Sequence, residues 1–254
     1  MLKQYINEKR KQKDILLMTH IVLGYPSIEV SMQLIDIMVQ AGVDLMELQI
    51  PFSEPMADGP IILKANQSAL ESGVTVAGCM EEVLKITKKH AIPFLYMSYF
   101  NILFKYGLEP FIKRMKTDHI KGAIVPDLPP EEGAEYIHLM KENSRSPIFI
   151  YSPNTSKKRM RLLSAAGDGF IYCVARKGVT GKQTQFSSDI DQYLKQCRES
   201  TDLPLAVGFG VKEKPDVDFL KGKTDIAVIG SESIRIVNEK GVNAVGDFIS
   251  DLLS

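Results

Sequence analysis

The chain has 254 residues, 44% of them hydrophobic and 24% charged, the composition of a soluble globular protein long enough to bury one sizeable core. Its 31 Lys plus Arg balance 31 Asp plus Glu, so the basic excess of a nucleic-acid binder is missing. Cys79, Cys173 and Cys197 are widely spaced with no CxxC pair, which suggests neither a zinc site nor a disulfide framework and suits a reducing cytoplasm.

The first residues are polar and charged, predicting a short N-terminal helix rather than a signal peptide, with Lys9, Arg10, Lys11 and Lys13 on a solvated face. A first strand is expected at Met18–Leu23. Ser27 then caps a helix in which Met32, Ile35 and Val39 recur at helical spacing, with Gly42 just past its end. The second strand, Leu45–Ile50, runs into an acidic, proline-rich segment. Pro60 opens the next helix, which stops near Gly73, and Val76–His90 is helical again. The third strand, Phe94–Tyr99, lies in the most apolar stretch, which Pro93, Ser98 and Asn101 interrupt and which is too short to span a bilayer. Helix Glu109–Thr117 follows. Strand Gly122–Val125 precedes helix Pro130–Glu142, and strand Pro147–Tyr151 precedes helix Ser156–Ala165. Strand Gly169–Val174, a long polar loop and helix Asp189–Glu199 come next. Strand Leu205–Val207 with helix Lys214–Lys221, and strand Ile226–Ile229 with helix Ala244–Leu253, complete the series.

Each strand is apolar on both faces, as buried parallel strands are. Strands alternating with helices and no break in composition predict an α/β fold: a single (β/α)8 TIM barrel over residues 1–254. A doubly wound open sheet is the alternative. In a barrel the loops after the strands build the site, so strand C-termini are the places to question.

The richest segment runs from Glu47 to Pro60. Alternation puts Glu47 and Gln49 on one face and Leu48 and Ile50 on the other. If the aliphatic pair faces the helices, Glu47 points into the barrel, where an isolated carboxylate is costly; a structural ion pair or an acid/base with a raised pKa would each account for it. Asp58, just before Gly59 and Pro60, fits an N-cap and a catalytic carboxylate equally well. Glu54, between prolines, suits an exposed contact surface. Glycines after the seventh and eighth strands, Gly208 and Gly210, then Gly230 with Ser231 and Ser233, sit where barrels bind phosphate on backbone N–H groups. The polar stretch from Arg176 to Gln183, after the sixth strand, is long for a strand–helix connection and suits a mobile lid or a plain surface loop. Thr180 would be able to bond a carboxylate on closure.

These motifs, ELQIPFSEPMADGP from Glu47, ARKGVTG from Ala175, GFGV from Gly208 and IGSESI from Ile229, resemble the tryptophan synthase alpha subunit family, and the likeness extends to LGYPS at Leu23 and PDLPPEE at Pro126. The resemblance implies retro-aldol cleavage of indole-3-glycerol phosphate to indole and glyceraldehyde 3-phosphate, with no metal and no organic cofactor. It implies Glu47 as the acid/base, Asp58 as the second catalytic carboxylate, Tyr172 at the active site and Thr180 as the lid threonine. Gly181, Gly210, Gly230 and Ser231 fall in its phosphate loops. Tyr99 and Phe209 would line the indole slot or serve as plain core. The implied partner is a tryptophan synthase beta subunit in an alpha2-beta2 complex. A stand-alone lyase, or a weakly active barrel that chiefly activates the beta subunit, are the other readings. Two departures stand out: Gln49 replaces the family's usual glycine, where its amide would bond Glu47 or crowd the indole pocket, and Glu54 replaces the usual aspartate near the partner contact.

Overall fold

The computed structural model describes residues 1–174, 188–208 and 210–254. Its elements in chain order are α1 (Leu2–Arg10), β1 (Leu16–Val22), α2 (Ile28–Gln40), β2 (Leu45–Gln49), α3 (Pro60–Glu71), α4 (Val76–Lys89), β3 (Phe94–Met97), α5 (Phe100–Tyr106), α6 (Leu108–Thr117) and β4 (Gly122–Ile124). There follow α7 (Ala134–Glu142), β5 (Ser146–Tyr151), α8 (Lys157–Ala166), β6 (Ile171–Val174), α9 (Ser188–Arg198), β7 (Leu205–Gly208), α10 (Lys214–Leu220), β8 (Ile226–Ile229), α11 (Ser231–Lys240) and α12 (Ala244–Leu253). The eight strands pair in sequence order, all parallel, and β8 closes on β1. The barrel is the expected fold, and the open sheet is ruled out by that closure.

Strand alternation divides the apolar residues between two cores. Leu17, Ile21, Met46, Leu48 and Ile50 face outward and pack with helix residues such as Leu34, Met38 and Val83. Leu16, Met18, Leu45, Leu95 and Val228 face inward, and the register places Met18 beside both Leu45 and Val228. Leu2 and Ile6 of α1 join this inner core, while Tyr5 donates to the carbonyl of Asp44 just before β2, so α1 lies across the N-terminal end of the barrel.

The basic run on α1 is not simply a solvated face. Lys13 reaches the buried carboxylate of Asp44 at 2.7 Å, and Asp44 also accepts from the backbone N–H of Leu17 at 3.1 Å. Arg10 bonds the carbonyl of Lys13 and reaches Asp225 at 3.5 Å. These contacts tie α1 to the strands it covers.

Several helix starts follow local rules. Ser27, Thr75 and Ser156 cap α2, α4 and α8 through their hydroxyls, and Pro60 occupies the first turn of α3. The structure starts α7 at Ala134 rather than Pro130, because Pro129 to Glu132 form a turn that hands the chain into the helix. It also adds two short helices, α5 and α11, at the C-terminal end of the barrel. No helix among the described residues is long and apolar enough to cross a membrane.

Candidate active site at the mouth of the barrel

With Leu48 and Ile50 in the outer core, Glu47 and Gln49 point inward as alternation requires. Both are buried, Glu47 at 3% and Gln49 at 0% exposure. The register of the sheet sets His20 of β1 directly beside Glu47, and His20 Nδ1 lies 2.9 Å from Glu47 Oε1. Burial of the ring works against its charged form, but the Glu47 carboxylate, the hydrogen bond between them and the charge of Asp58 outweigh that, so the imidazole pKa is raised.

Past β2 the chain leaves the barrel and returns into α3. Ile50 N–H donates to Met97 O at 3.0 Å, and Phe52 N–H donates to the buried Asn66 side chain of α3 at 3.0 Å. Asp58 N–H closes a turn on Pro55 O at 3.0 Å. Asp58 is not the N-cap of α3: Gly59 holds that position, and no side chain caps the helix. Its carboxylate turns inward instead, where Oδ2 accepts from the Gln49 amide at 2.6 Å and from the Tyr99 hydroxyl at 3.1 Å. Burial raises the Asp58 pKa, while His20 and the two donors, Gln49 and Tyr99, oppose the rise. Gln49 therefore bonds Asp58 and not Glu47, which corrects the expectation drawn from alternation alone: the shared inner face brings Gln49 near Glu47, but the returning loop supplies a better acceptor.

Tyr99 follows β3 and is fully buried. Its ring stacks on Phe52 at 5.1 Å between centroids, and its oxygen accepts from the N–H of Ala57 at 3.0 Å. Burial and the charge of Asp58 hold its hydroxyl protonated, so it serves as a donor. Tyr172 of β6 points inward toward the same end; burial, then the charges of Glu47 and Asp58, push its pKa well up. Its ring lies against Gly208 of β7, where an added Cβ would sit 3.0 Å from the Tyr172 oxygen.

Gly230 forms the N-cap of α11 and Ser231 its first residue, with no side chain capping the N–H groups of the first turn. Gly230 also stands close to His20, its absent Cβ 4.0 Å from that of His20. Gly210 has φ of +79°, open to glycine and strained for other residues. The first turn of α11 carries a buried Glu232, whose charge Arg235 neutralises at 3.1 Å. Glu54 is exposed, as expected. Thr180, Gly181 and Phe209, and the loop expected to form the lid, lie outside the described residues.

The site thus gathers Glu47, Asp58, Gln49, Tyr99 and Tyr172, and adds His20, which sequence reasoning missed. Among the described residues, Glu47 Oε2, His20 Nε2 and Gln49 Oε1 are buried without a hydrogen-bond partner. Buried polar atoms usually find a partner, so these three at the barrel mouth remain available to a polar ligand. Two carboxylates with different partners, one beside an imidazole and one under two neutral donors, can carry different protonation states, as acid/base chemistry needs.

A family described as tryptophan synthase alpha chain matches residues 6–248. The tryptophan synthase alpha chain of Desulforapulum autotrophicum is 61% identical over 252 residues, covering 99% of this chain and 100% of that protein. That of Syntrophotalea carbinolica is 58% identical over 252 residues, with coverage of 99% and 100%. Among solved structures, tryptophan synthase from Mycobacterium tuberculosis in space group F222 superposes with a TM-score of 0.92 at 25% identity, covering 99% of this chain and 96% of that one.

Proposed function

The chain belongs to the tryptophan synthase alpha chain family, a family of lyases that cleave indole-3-glycerol phosphate, and we infer that its barrel mouth performs this cleavage with Glu47 and Asp58 as the working carboxylates. The observation that carries the reading is the inward pair itself: Glu47 beside His20, and Asp58 with one oxygen held by Gln49 and Tyr99.

Glu47 in its acid form donates a proton to ring carbon 3 of the indole, which makes the bond to the glycerol chain breakable. The glycerol hydroxyl then loses its proton to the Glu47 carboxylate. Its oxygen becomes the aldehyde oxygen of glyceraldehyde 3-phosphate, and the electrons of the broken carbon–carbon bond restore the indole ring. The proton given is the proton regained, so the step consumes none.

Asp58 accepts from the indole N–H and stabilises the positive charge that grows on that nitrogen. Both protein donors fall on Oδ2, and this leaves Oδ1 for the ring. Tyr99 and Phe52 supply apolar walls, and Tyr172 closes the far side. The phosphate is held by the backbone N–H groups at the start of α11, from Gly230 and Ser231, with Gly210 and Gly181 in the adjoining loops. The family resemblance also implies a bond from Thr180, which lies outside the described residues, to Asp58. No metal or organic cofactor takes part in this scheme.

A tryptophan synthase beta subunit is the proposed partner, in an alpha2-beta2 complex that uses the released indole. The resemblance to a tryptophan synthase structure supports it. Exposed Met56 and Phe104 beside the barrel mouth offer apolar surface for such docking. The proposed setting is the cytoplasm, where the three free cysteines stay thiols.

The deciding assay is indole release from indole-3-glycerol phosphate by the purified chain, alone and with a beta subunit. Indole and glyceraldehyde 3-phosphate should form in equal amounts, faster with the partner. Fast release by the chain alone would favour a stand-alone lyase, and no indole in either condition would overturn the catalytic reading.

A further inference from the structure

His20 does more than fill the barrel. Its side chain and that of Glu47 are 5% and 4% exposed, and they meet at 2.9 Å through Nδ1 and Oε1. The contact is fixed by backbone register, since the two residues are paired neighbours on β1 and β2. A buried carboxyl has two oxygens, and this contact occupies one of them, while Oε2 has no partner among the described residues.

We propose that His20 is a positioning residue for the cleavage: its Nδ1–H binds Oε1 of Glu47 and leaves Oε2 as the oxygen that carries the acidic proton to the indole ring. The proposal rests on Glu47 being the acid/base. The proton balance is unchanged from the scheme above. With Nδ1–H donating to Oε1, the acidic proton sits on Oε2, passes to ring carbon 3, and is replaced by the proton of the glycerol hydroxyl. While Glu47 is an anion, the imidazole N–H stabilises it in a site that excludes water. The working form carries the acidic proton on Oε2 with the imidazole N–H on Oε1, so activity ends on the basic side when that proton is lost.

Among the other groups around His20, the Gln49 side chain also favours the charged ring, but its amide N–H is committed to Asp58. Asp58 contributes charge through space, and Gly230 on the β8 side brings none. Tyr25, Ser233 and Ile234 share a cavity of about 10 Å³ with the ring; the Tyr25 hydroxyl is engaged by Asn238 at 2.9 Å, and Ser233 is neutral.

The test uses two variants. His20→Phe keeps an aromatic ring and removes the nitrogen; His20→Asn puts an amide N–H near the position of Nδ1 but cannot titrate. In the full chain, His20→Phe should lower kcat at least about tenfold while KM changes much less. His20→Asn should recover part of the rate. In wild type, the basic limb of the kcat profile should share its midpoint with the pH response of the His20 ring nitrogens seen by NMR, and in both variants that limb should move, because it then reports Glu47 without its imidazole partner. Wild-type kcat and pH profile in His20→Phe would overturn the proposal, as would equal losses in the two variants with the limb unmoved. A separate arm needs no substrate: Glu47→Gln should lower the His20 titration midpoint in the free protein, and an unmoved midpoint would refute the coupling. Failure of the lyase reading shows itself differently, as wild type that releases no indole.

Discussion

The side-chain amide of Gln49 donates at 2.6 Å to Oδ2 of Asp58, nine positions further on, where the chain that left the barrel returns to its mouth. A donor on a buried carboxylate favours its charged form. Gln49 thus holds the Asp58 pKa down against the burial that raises it. Replacing Gln49 with glycine, the residue usual in the family, removes this donor and lets the pKa rise further. The acid limb of kcat/KM should then move to higher pH, because the Asp58 anion is lost sooner as pH falls. At neutral pH the loss should be about tenfold, the worth of one hydrogen bond to a charged group. A pH profile of Gln49→Gly with an acid limb at the wild-type position would contradict this.

Glu47→Gln keeps the shape of the side chain and removes the exchangeable proton. Turnover should fall by at least about a thousandfold. Binding of a substrate analogue that lacks the reacting hydroxyl should stay within a few fold, measured by calorimetry. Binding lost as severely as turnover would mark Glu47 as a structural acid.

Gly208 and Tyr172 should behave as a coupled pair. A Cβ at position 208 would meet the Tyr172 oxygen at 3.0 Å and Cε1 at 3.1 Å, closer than such atoms normally sit. Gly208→Ala should push the ring aside and raise KM by about tenfold, since small displacements in a tight site are expensive. Because the closest contact is the hydroxyl, adding Tyr172→Phe should restore much of the loss. Additive effects in the double variant would show that the two positions act apart.

Asp44 gives a prediction about stability. It is 3% exposed and serves both Lys13 and the Leu17 N–H. Asp44→Ala orphans a buried donor and breaks a half-buried ion pair, which should cost about 3 kcal/mol in urea unfolding. Lys11→Ala, which breaks an exposed pair with Glu8, should cost less than about 0.5 kcal/mol. Similar costs for the two would mean that burial does not govern these pairs.

The strands were legible in the sequence because nearly all are buried on both faces and rich in aliphatic residues. The helices that carry their own caps, such as α2 behind Ser27, were legible as well. Helix α5 was not, and the reason is physical. Its first N–H, on Phe100, is satisfied by the carboxylate of Asp127 at 2.9 Å, 27 residues away, so no local capping signal exists. Helix α11 opens in the Gly230–Ser233 cluster, which stood out as a phosphate-binding loop rather than as the start of a ten-residue helix. In the site, Glu47 stood out as a charge within an apolar strand. Asp58 needed the family motif, since its local surroundings fit a cap equally well. His20 also interrupts an apolar strand, and in the barrel its alternation with Met18 sets it on the inner face. Its importance depends on which residue of β2 falls opposite, and register is a property of the closed sheet that no single strand reveals.

Helix α1 has a bearing on traffic. With Leu2 and Ile6 seated among the inward residues and Lys13 anchored on Asp44, the barrel is a vessel stoppered at its base. Whatever enters or leaves the acid at Glu47 must use the rim. An apolar product such as indole would therefore emerge beside Met56 and Phe104, so a protein seated on that rim would receive it directly instead of competing with bulk water for it.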